Sequence, residues 1–366
     1  MWALKVKKEF AEHIRLLAFK RRLVDTTYKF IKHHEHVYIP LKRKPTSEEL
    51  NRLIDTSKLS AEGYQELDGN NKVIELLEYN FTVANPITKY VPYNIIHARL
   101  EQHIPHKLLT KLPSHWEKVG DIIILKLDDE LTAYSYEIGR TYAEVLGAST
   151  VVQDLRGVAG KFRTPVGIVR LYGERTVTIH VENGIKYKLD VEKLMFSSGN
   201  IDERVRMASL NCSDEIIVDM FAGIGYFTLP LAKYTGAKKV YACELNPIAY
   251  RYLCDNIRLN KVGSKVVPLK GDNRDVAPDH IADRVVMGYL HDTYEYLPKA
   301  IRTLMPEGGT IHYHEVCPEE LLMQRPLARI EKVAAQFGRK VKLLKFRIVK
   351  SYAPRIYHAV LDVAIT

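Results

Sequence analysis

Residues 216–247 read IIVDMFAGIGYFTLPLAKYTGAKKVYACELNP. The apolar run Ile216, Ile217, Val218 ends in Asp219, and a turn holding Phe221, Gly223 and Gly225 follows. A helical stretch then leads to a second apolar run ending at Glu244, with Leu245 and Asn246 behind it. Strand, glycine turn, helix, strand and terminal acid, in that order, make half of a mononucleotide-binding βαβ unit. The glycines let backbone approach a ligand, and an acid about 20 residues on can accept hydrogen bonds from ribose hydroxyls. Thr228 stands where a third fingerprint glycine would be. That departure disfavours a dinucleotide and favours an adenosine ligand with no pyrophosphate, for which S-adenosylmethionine (SAM) is the natural candidate. A glycine turn can also be purely structural; here the ordered context around it argues for nucleoside binding.

The chain has 366 residues, 46% hydrophobic and 27% charged, as expected for two or three globular domains. No apolar run approaches the ~18 residues of a membrane span, and the charged N-terminus lacks a signal-peptide core. A cytoplasmic protein with no membrane association is expected. The net charge of +10 favours a polyanionic partner, because Lys and Arg displace counterions from phosphates. Cys212, Cys243, Cys254 and Cys317 include no CxxC pair, so neither a disulfide framework nor a zinc site is expected.

Three domains are expected: 1–84, 85–195 and 196–366. In the first, Phe10, Ile14, Leu17 and Ala18 repeat at helical spacing within 9–23, and residues 36–41 (HVYIPL) read as a strand. Lys20, Arg21, Arg22, Lys29 and Lys32 make this lobe basic. A polar stretch, 46–71, holds one candidate helix and the turn 68–71 (DGNN), before an apolar run over 73–83. In the second, residues 121–127 read as a buried strand, 134–146 as a helix and Val151-Val152 as the start of another strand. Residues 177–191 alternate around Asn183-Gly184, the preferred pair for a type I′ hairpin. Arg156, Lys161, Arg163, Arg170 and Arg175 surround that hairpin, which reads as scaffold and nucleic-acid face. The third alternates strands and helices. It is expected to close with a helix over 319–337 and two strands, 340–349 and 355–363, giving an α/β sandwich.

Ligands of open α/β sheets lie at the carboxyl ends of strands. Four such ends are legible: residues 219–225, Glu244, Asp272-Asn273 and Tyr289. Asp272 can accept from an adenine amino group, and Asn273 offers both a donor and an acceptor. His312 and His314 share a strand face but lack a third ligand, so a hydrogen-bonded histidine pair is expected in place of a metal site. The cluster His33-His34-Glu35-His36 reads as a solvated edge. No P-loop lysine or GxSxG nucleophile is present. Glu203, ahead of Arg204 and Arg206, is either a capped helix start or a carboxylate near an acceptor base, with an arginine near the ligand's charged tail.

Together these segments resemble the family of archaeal and eukaryotic tRNA guanine-N1 methyltransferases and wybutosine-synthesizing aminocarboxypropyltransferases. The resemblance covers nearly the whole chain: LKVKKEFAEHIRLLAFKRRLVDTTYKF through VYIPL, GDIIIL, TIHVENGIKYKLDVEKLMFS, FAGIGYFTLP and NPIAY. It implies a small N-terminal tRNA-binding domain, a middle α+β domain and a class I SAM-dependent transferase domain with a seven-stranded, mostly parallel sheet. After the fourth strand the methyltransferases carry an Asn-Leu-Pro-type motif. Here the chain reads MGYLHDT, which looks like the aminocarboxypropyltransferase branch, although shorter archaeal members of that branch lack the N-terminal domain. The implied reaction places a 3-amino-3-carboxypropyl group on C7 of 4-demethylwyosine in tRNA(Phe), beside the anticodon. A tRNA methyltransferase is the nearest alternative, and a non-catalytic tRNA- and SAM-binding protein a more distant one. By resemblance, SAM contacts fall to Ser197, Arg204, Glu244, Asp272 and Asn273, with the cofactor beside residues 221–225. Glu203 matches the glutamate proposed as general base.

Overall fold

The structure is a computed structural model that describes residues 1–25, 28, 30–53, 74–79, 91–160 and 162–366. They fall into two compact units, Met1–Val91 and Pro92–Thr366.

In the first unit, β1 (Trp2–Lys7) runs into a helix, Lys8–Lys20, and β2 (Ile31–His33), β3 (His36–Pro40) and β4 (Ile74–Glu78) complete an antiparallel sheet in the order β2-β3-β1-β4. Ile14 and Ala18 of the helix pack on Leu4, Val6 and Ile39 of the sheet. The helix stops at Lys20, short of the expected residue 23, and the chain turns away at Arg22, whose φ is +56°. The histidine cluster forms the exposed β2–β3 turn, with His34 at φ +47°. Lys29, Lys161, the 68–71 turn and both ends of the 73–83 run lie outside the described residues.

The second unit holds two larger sheets. The smaller is ordered β10-β7-β6-β5, from β5 (Glu117–Val119), β6 (Ile122–Leu125), β7 (Thr150–Asp154) and β10 (Ile168–Tyr172); β8 (Val158–Ala159) and β9 (Thr164–Pro165) form a short ribbon. Helix Ser135–Leu146 buries Ile138 and Tyr142 against Ile123 and Val151 and ends at the left-handed Gly147. The hairpin of β11 (Val177–Glu182) and β12 (Ile185–Asp190) turns through Asn183 (φ +49°) and Gly184 (φ +72°), the conformation a type I′ turn requires.

The larger sheet is built from β13 (Ile216–Asp219), β14 (Lys239–Glu244), β15 (Val266–Lys270), β16 (Arg284–Met287), β17 (Gly309–Pro318), β18 (Val341–Ala353) and β19 (Ile356–Ile365). Its order is β15-β14-β13-β16-β17-β19-β18, parallel from β15 to β17 and antiparallel at the last two pairings. One apolar core packs helices Thr228–Tyr234 and Pro247–Leu259 on one side, and a second packs Leu297–Thr303 and Gln324–Gln336 on the other. The last of these begins five residues later than expected; a 3₁₀ turn, Glu319–Leu321, precedes it, and Pro326 falls in its first turn, where a missing N–H breaks no helical bond. Asn256 and Asn260 reach from helix Pro247–Leu259 to both backbone groups of Lys188 and Lys186, at 2.7–3.1 Å, and so fasten the hairpin to the larger sheet's helix layer.

The expected pairing of His312 with His314 is not what the strands produce. His312 bonds to Asp362 (2.5 Å), whereas His314 bonds to His358 (3.0 Å), each across to β19. Among the described residues no group of His, Cys, Asp and Glu could hold a metal ion, and no helix is long and apolar enough to cross a membrane.

Candidate functional site

The order of the larger sheet reverses between β13 and β16, and a cleft opens over the carboxyl ends of the strands there. Its floor is the glycine turn. Gly223 has φ +58°, and its N–H donates to Glu244 Oε2 at 2.7 Å, while Glu244 Oε1 accepts from Asn246 N–H at 2.7 Å. The second strand's acid is thus locked against the first strand's turn, with a further lone pair on each oxygen. Burial pushes Glu244 up to about 7, against the pull of those backbone hydrogen bonds.

Of the residues singled out in the sequence, Ser197, Arg204, Phe221, Gly223 and Glu244 line the cleft, as do Leu245, Asn246, Asp272, Asn273 and Tyr289. Asp219 and Gly225 do not. Asp219 is wholly buried and accepts from Thr228 Oγ1 (2.7 Å) and Phe221 N–H (3.2 Å), bracing the turn from below. Gly225, at φ +103°, leaves no room for a Cβ, which would stand 2.7 Å from Leu229; its part is to let the following helix pack. On one wall of the cleft, Phe221 stacks on Tyr289 (5.2 Å, 17°) and meets Tyr296 edge-on. Asp272 caps the short helix Asn273–Val276. Asn273 donates to Met220 O at 2.8 Å, but its Oδ1 is buried with no hydrogen-bond partner. An unpaired acceptor on a cleft-lining residue suits an incoming amino donor, since a buried unpaired acceptor forfeits on the order of 1–3 kcal/mol.

Glu203 lies outside the cleft, fully buried. Its oxygens are held by Arg206 (2.6–3.1 Å) and Arg347 (3.1 Å). Arg206 continues to Asp362 (2.6 Å), Asp362 to His312, and His312 to Arg284 (2.8 Å), which closes on Glu215 (2.6 Å). Arg204 lines the cleft but is 2% exposed and spends its guanidinium on Glu182, at 2.6 and 2.7 Å. Burial would push Glu182 up, but the hydrogen bonds from Arg204 bring it down to about 2. The sequence reading missed Glu182, and with it Asn200, Lys350 and Tyr352, which also line or brace the cleft. The Asn200 Oδ1 is a second buried acceptor without a partner.

The chain is similar to known proteins over most of its length. Residues 178–344 match the TRM5/TYW2 methyltransferase domain, 96–176 the TYW2 N-terminal domain and 3–49 the tRNA methyltransferase 5 N-terminal domain. The tRNA(Phe) (4-demethylwyosine(37)-C(7)) aminocarboxypropyltransferase of Pyrococcus horikoshii is 44% identical over 266 residues, 73% of this chain and 94% of the relative. The chain belongs to the TRM5/TYW2 family. A solved structure of TYW2 from M. jannaschii in complex with AdoMet is 41% identical and covers 69% of this chain and 99% of its own, with TM-score 0.57. Trm5b from Pyrococcus abyssi is 32% identical and covers 100% of this chain and 99% of its own, with TM-score 0.64. Within the TRM5/TYW2 family, then, the chain has the extent of the methyltransferase and higher identity to the aminocarboxypropyltransferase.

The ionisation of Glu244 gives the site a pH signature. A carboxylate accepts two hydroxyl hydrogen bonds; a carboxylic acid accepts less well and adds a proton to accommodate. Affinity for an adenosine ligand should therefore be full above pH 7 and fall as pH drops through about 7, where Glu244 takes up its proton. Calorimetric titration of SAM from pH 8 to 5.5 checks this; a flat profile, or the same profile in Glu244→Gln, contradicts it.

Proposed function

We propose that the chain transfers the 3-amino-3-carboxypropyl group of SAM to C7 of 4-demethylwyosine at position 37 of tRNA(Phe), releasing 5′-methylthioadenosine. The observation that carries this reading is the match to the Pyrococcus horikoshii aminocarboxypropyltransferase over nearly all of that relative, with a cleft whose open acceptors fit an adenosine donor. We further assign residues 1–84 to tRNA binding, 85–195 to a middle domain and 196–366 to SAM binding and transfer, in a cytoplasmic monomer. Free thiols, three of them buried, suit a reducing compartment.

Bound SAM supplies a sulfonium whose three adjacent carbons are electrophilic. Which carbon reacts depends on which is held in line with the nucleophile at near-attack distance, ~3–3.5 Å. Glu244 accepts from the ribose hydroxyls, Asn273 and Asp272 accept from the adenine amino group, and the stacked pair Phe221–Tyr289 gives the ring an apolar wall. Glu203, committed to Arg206 and Arg347, acts as a positioning residue, and the proton lost from C7 goes to water.

Nucleosides from tRNA treated with enzyme and SAM, analysed by mass spectrometry, test the assignment. A gain of one aminocarboxypropyl group on the tricyclic base, matched mole for mole by methylthioadenosine, supports it; a gain of one methyl makes the chain a methyltransferase. The basic balance of the chain sets a second expectation. If several phosphates are gripped, tRNA affinity should fall about tenfold or more between 50 and 200 mM salt, measured by filter binding, and near-constant affinity would contradict phosphate contact.

A further inference from the structure

Three cationic side chains reach the cleft, and they are not equivalent. Arg204 is neutralised by the bidentate Glu182 pair. Arg163 hydrogen-bonds His291 Nε2 at 3.1 Å, on a rim where Tyr352 Oη meets the same nitrogen at 3.2 Å. Lys350, on the edge strand β18, is different. It is half-buried and, among the described residues, makes no hydrogen bond or ion pair. Its ammonium lies over the turn Ser198–Asn200, so close that a Cβ at Gly199 would stand 3.1 Å from Nζ. Burial and the like charges of Arg163 and Arg204 disfavour its charged form, and the field of Glu117, with which it makes no ion pair, offsets them only in part. An amine kept in such a place lacks a direct anionic partner.

The neighbouring Asn200 faces the same cleft with Oδ1 buried and unpartnered. An unpaired ammonium beside an unpaired acceptor is the complement of a zwitterion. From this we infer that Lys350 and Asn200 form the seat for the donor's amino-acid arm, Lys350 taking the α-carboxylate and Asn200 Oδ1 the α-ammonium. An RNA phosphate would satisfy Lys350 but set a second acceptor against Asn200. Arg204, to which the sequence reading gave the carboxylate, instead fixes the Ser197 carbonyl at 2.9 Å and so shapes the turn that carries Asn200. The inference rests on SAM being the donor. It makes Lys350 a residue that distinguishes the intact donor from the methylthioadenosine left after transfer, because only the donor has the arm.

Calorimetry on the full chain with three probes tests it: SAM, decarboxylated SAM and 5′-methylthioadenosine. The wild type should prefer SAM to decarboxylated SAM. Lys350→Met should weaken SAM about tenfold or more, abolish that preference, and change methylthioadenosine binding by less than about twofold. Lys350→Arg should recover part of the loss. Equal weakening of SAM and methylthioadenosine would reduce Lys350 to a structural role, and unchanged SAM affinity with weakened tRNA binding would assign it to the RNA; either overturns the inference. A wild type that binds neither SAM nor methylthioadenosine would instead remove the donor reading on which it rests.

Discussion

Replacing Glu244 with alanine should weaken SAM binding on the order of 100-fold and weaken methylthioadenosine binding equally. In the proposed reading the carboxylate is the point where β13 and β14 meet the ligand: one oxygen accepts from Gly223 N–H and the other from Asn246 N–H, both at 2.7 Å. Those contacts aim its remaining lone pairs into the cleft. Hydrogen bonds to a charged group contribute about 1.5–3 kcal/mol each, so losing a two-point contact to a ribose diol removes about 3 kcal/mol or more. The substitution also removes a carboxylate whose ionised form is disfavoured by burial, which offsets the two N–H groups left without an acceptor. Thermal stability should therefore shift little while affinity collapses. Titration calorimetry paired with a thermal melt separates the two, and a Glu244→Ala protein that binds SAM within about threefold of wild type would contradict the assigned contact.

The second large effect lies away from the cleft. Arg206→Met should destabilise the chain by about 3–5 kcal/mol, because it strips the shared partner from two carboxylates at once. Glu203 is fully buried and Asp362 is 7% exposed, and both lie 2.6 Å from the Arg206 guanidinium. Burial pushes Asp362 up, but the His312 hydrogen bond and the Arg206 charge hold it well below the usual carboxylate range. Neither acid can turn to water once the arginine is gone. Adding Glu203→Leu to Arg206→Met should recover part of the loss, since it removes one of the stranded charges. Urea unfolding midpoints of Arg206→Met, Glu203→Leu and the double variant check this, and strict additivity of the two single penalties would show that the network is not coupled.

The half of the cleft that could be read in the sequence is the half made by local chain geometry. A strand ending in Asp219, a glycine turn and a strand ending in Glu244 must bring Glu244 to the turn, because a parallel βαβ unit has few other ways to close. Asp272-Asn273 follows the same logic one strand further out. The turn also accounts for two residues that the sequence offers as ligand contacts and that do not line the cleft. Asp219 and Gly225 carry the right identities but serve the turn itself, one as a brace and the other as space for Leu229. What stayed hidden depends on pairings between distant segments. Glu182 ends one arm of a hairpin, and only the packed fold sets it against Arg204. Lys350 reaches the cleft because β18 closes the antiparallel end of the sheet and meets the turn at Ser198–Asn200. Nothing in the periodicity of residues 340–349 marks the following lysine. The histidines of β17 were paired wrongly for the same reason: alternation gave their face, but register with β19 decided their partners.

Transfer of the amino-acid arm is the claim on which the functional reading stands. Incubating tRNA bearing 4-demethylwyosine with SAM labelled at the carboxyl carbon, and in parallel with SAM labelled at the methyl carbon, tests it most directly. Carboxyl label should appear in the tRNA while methyl label leaves in methylthioadenosine; methyl label in the tRNA, with the carboxyl label left in solution, would contradict it.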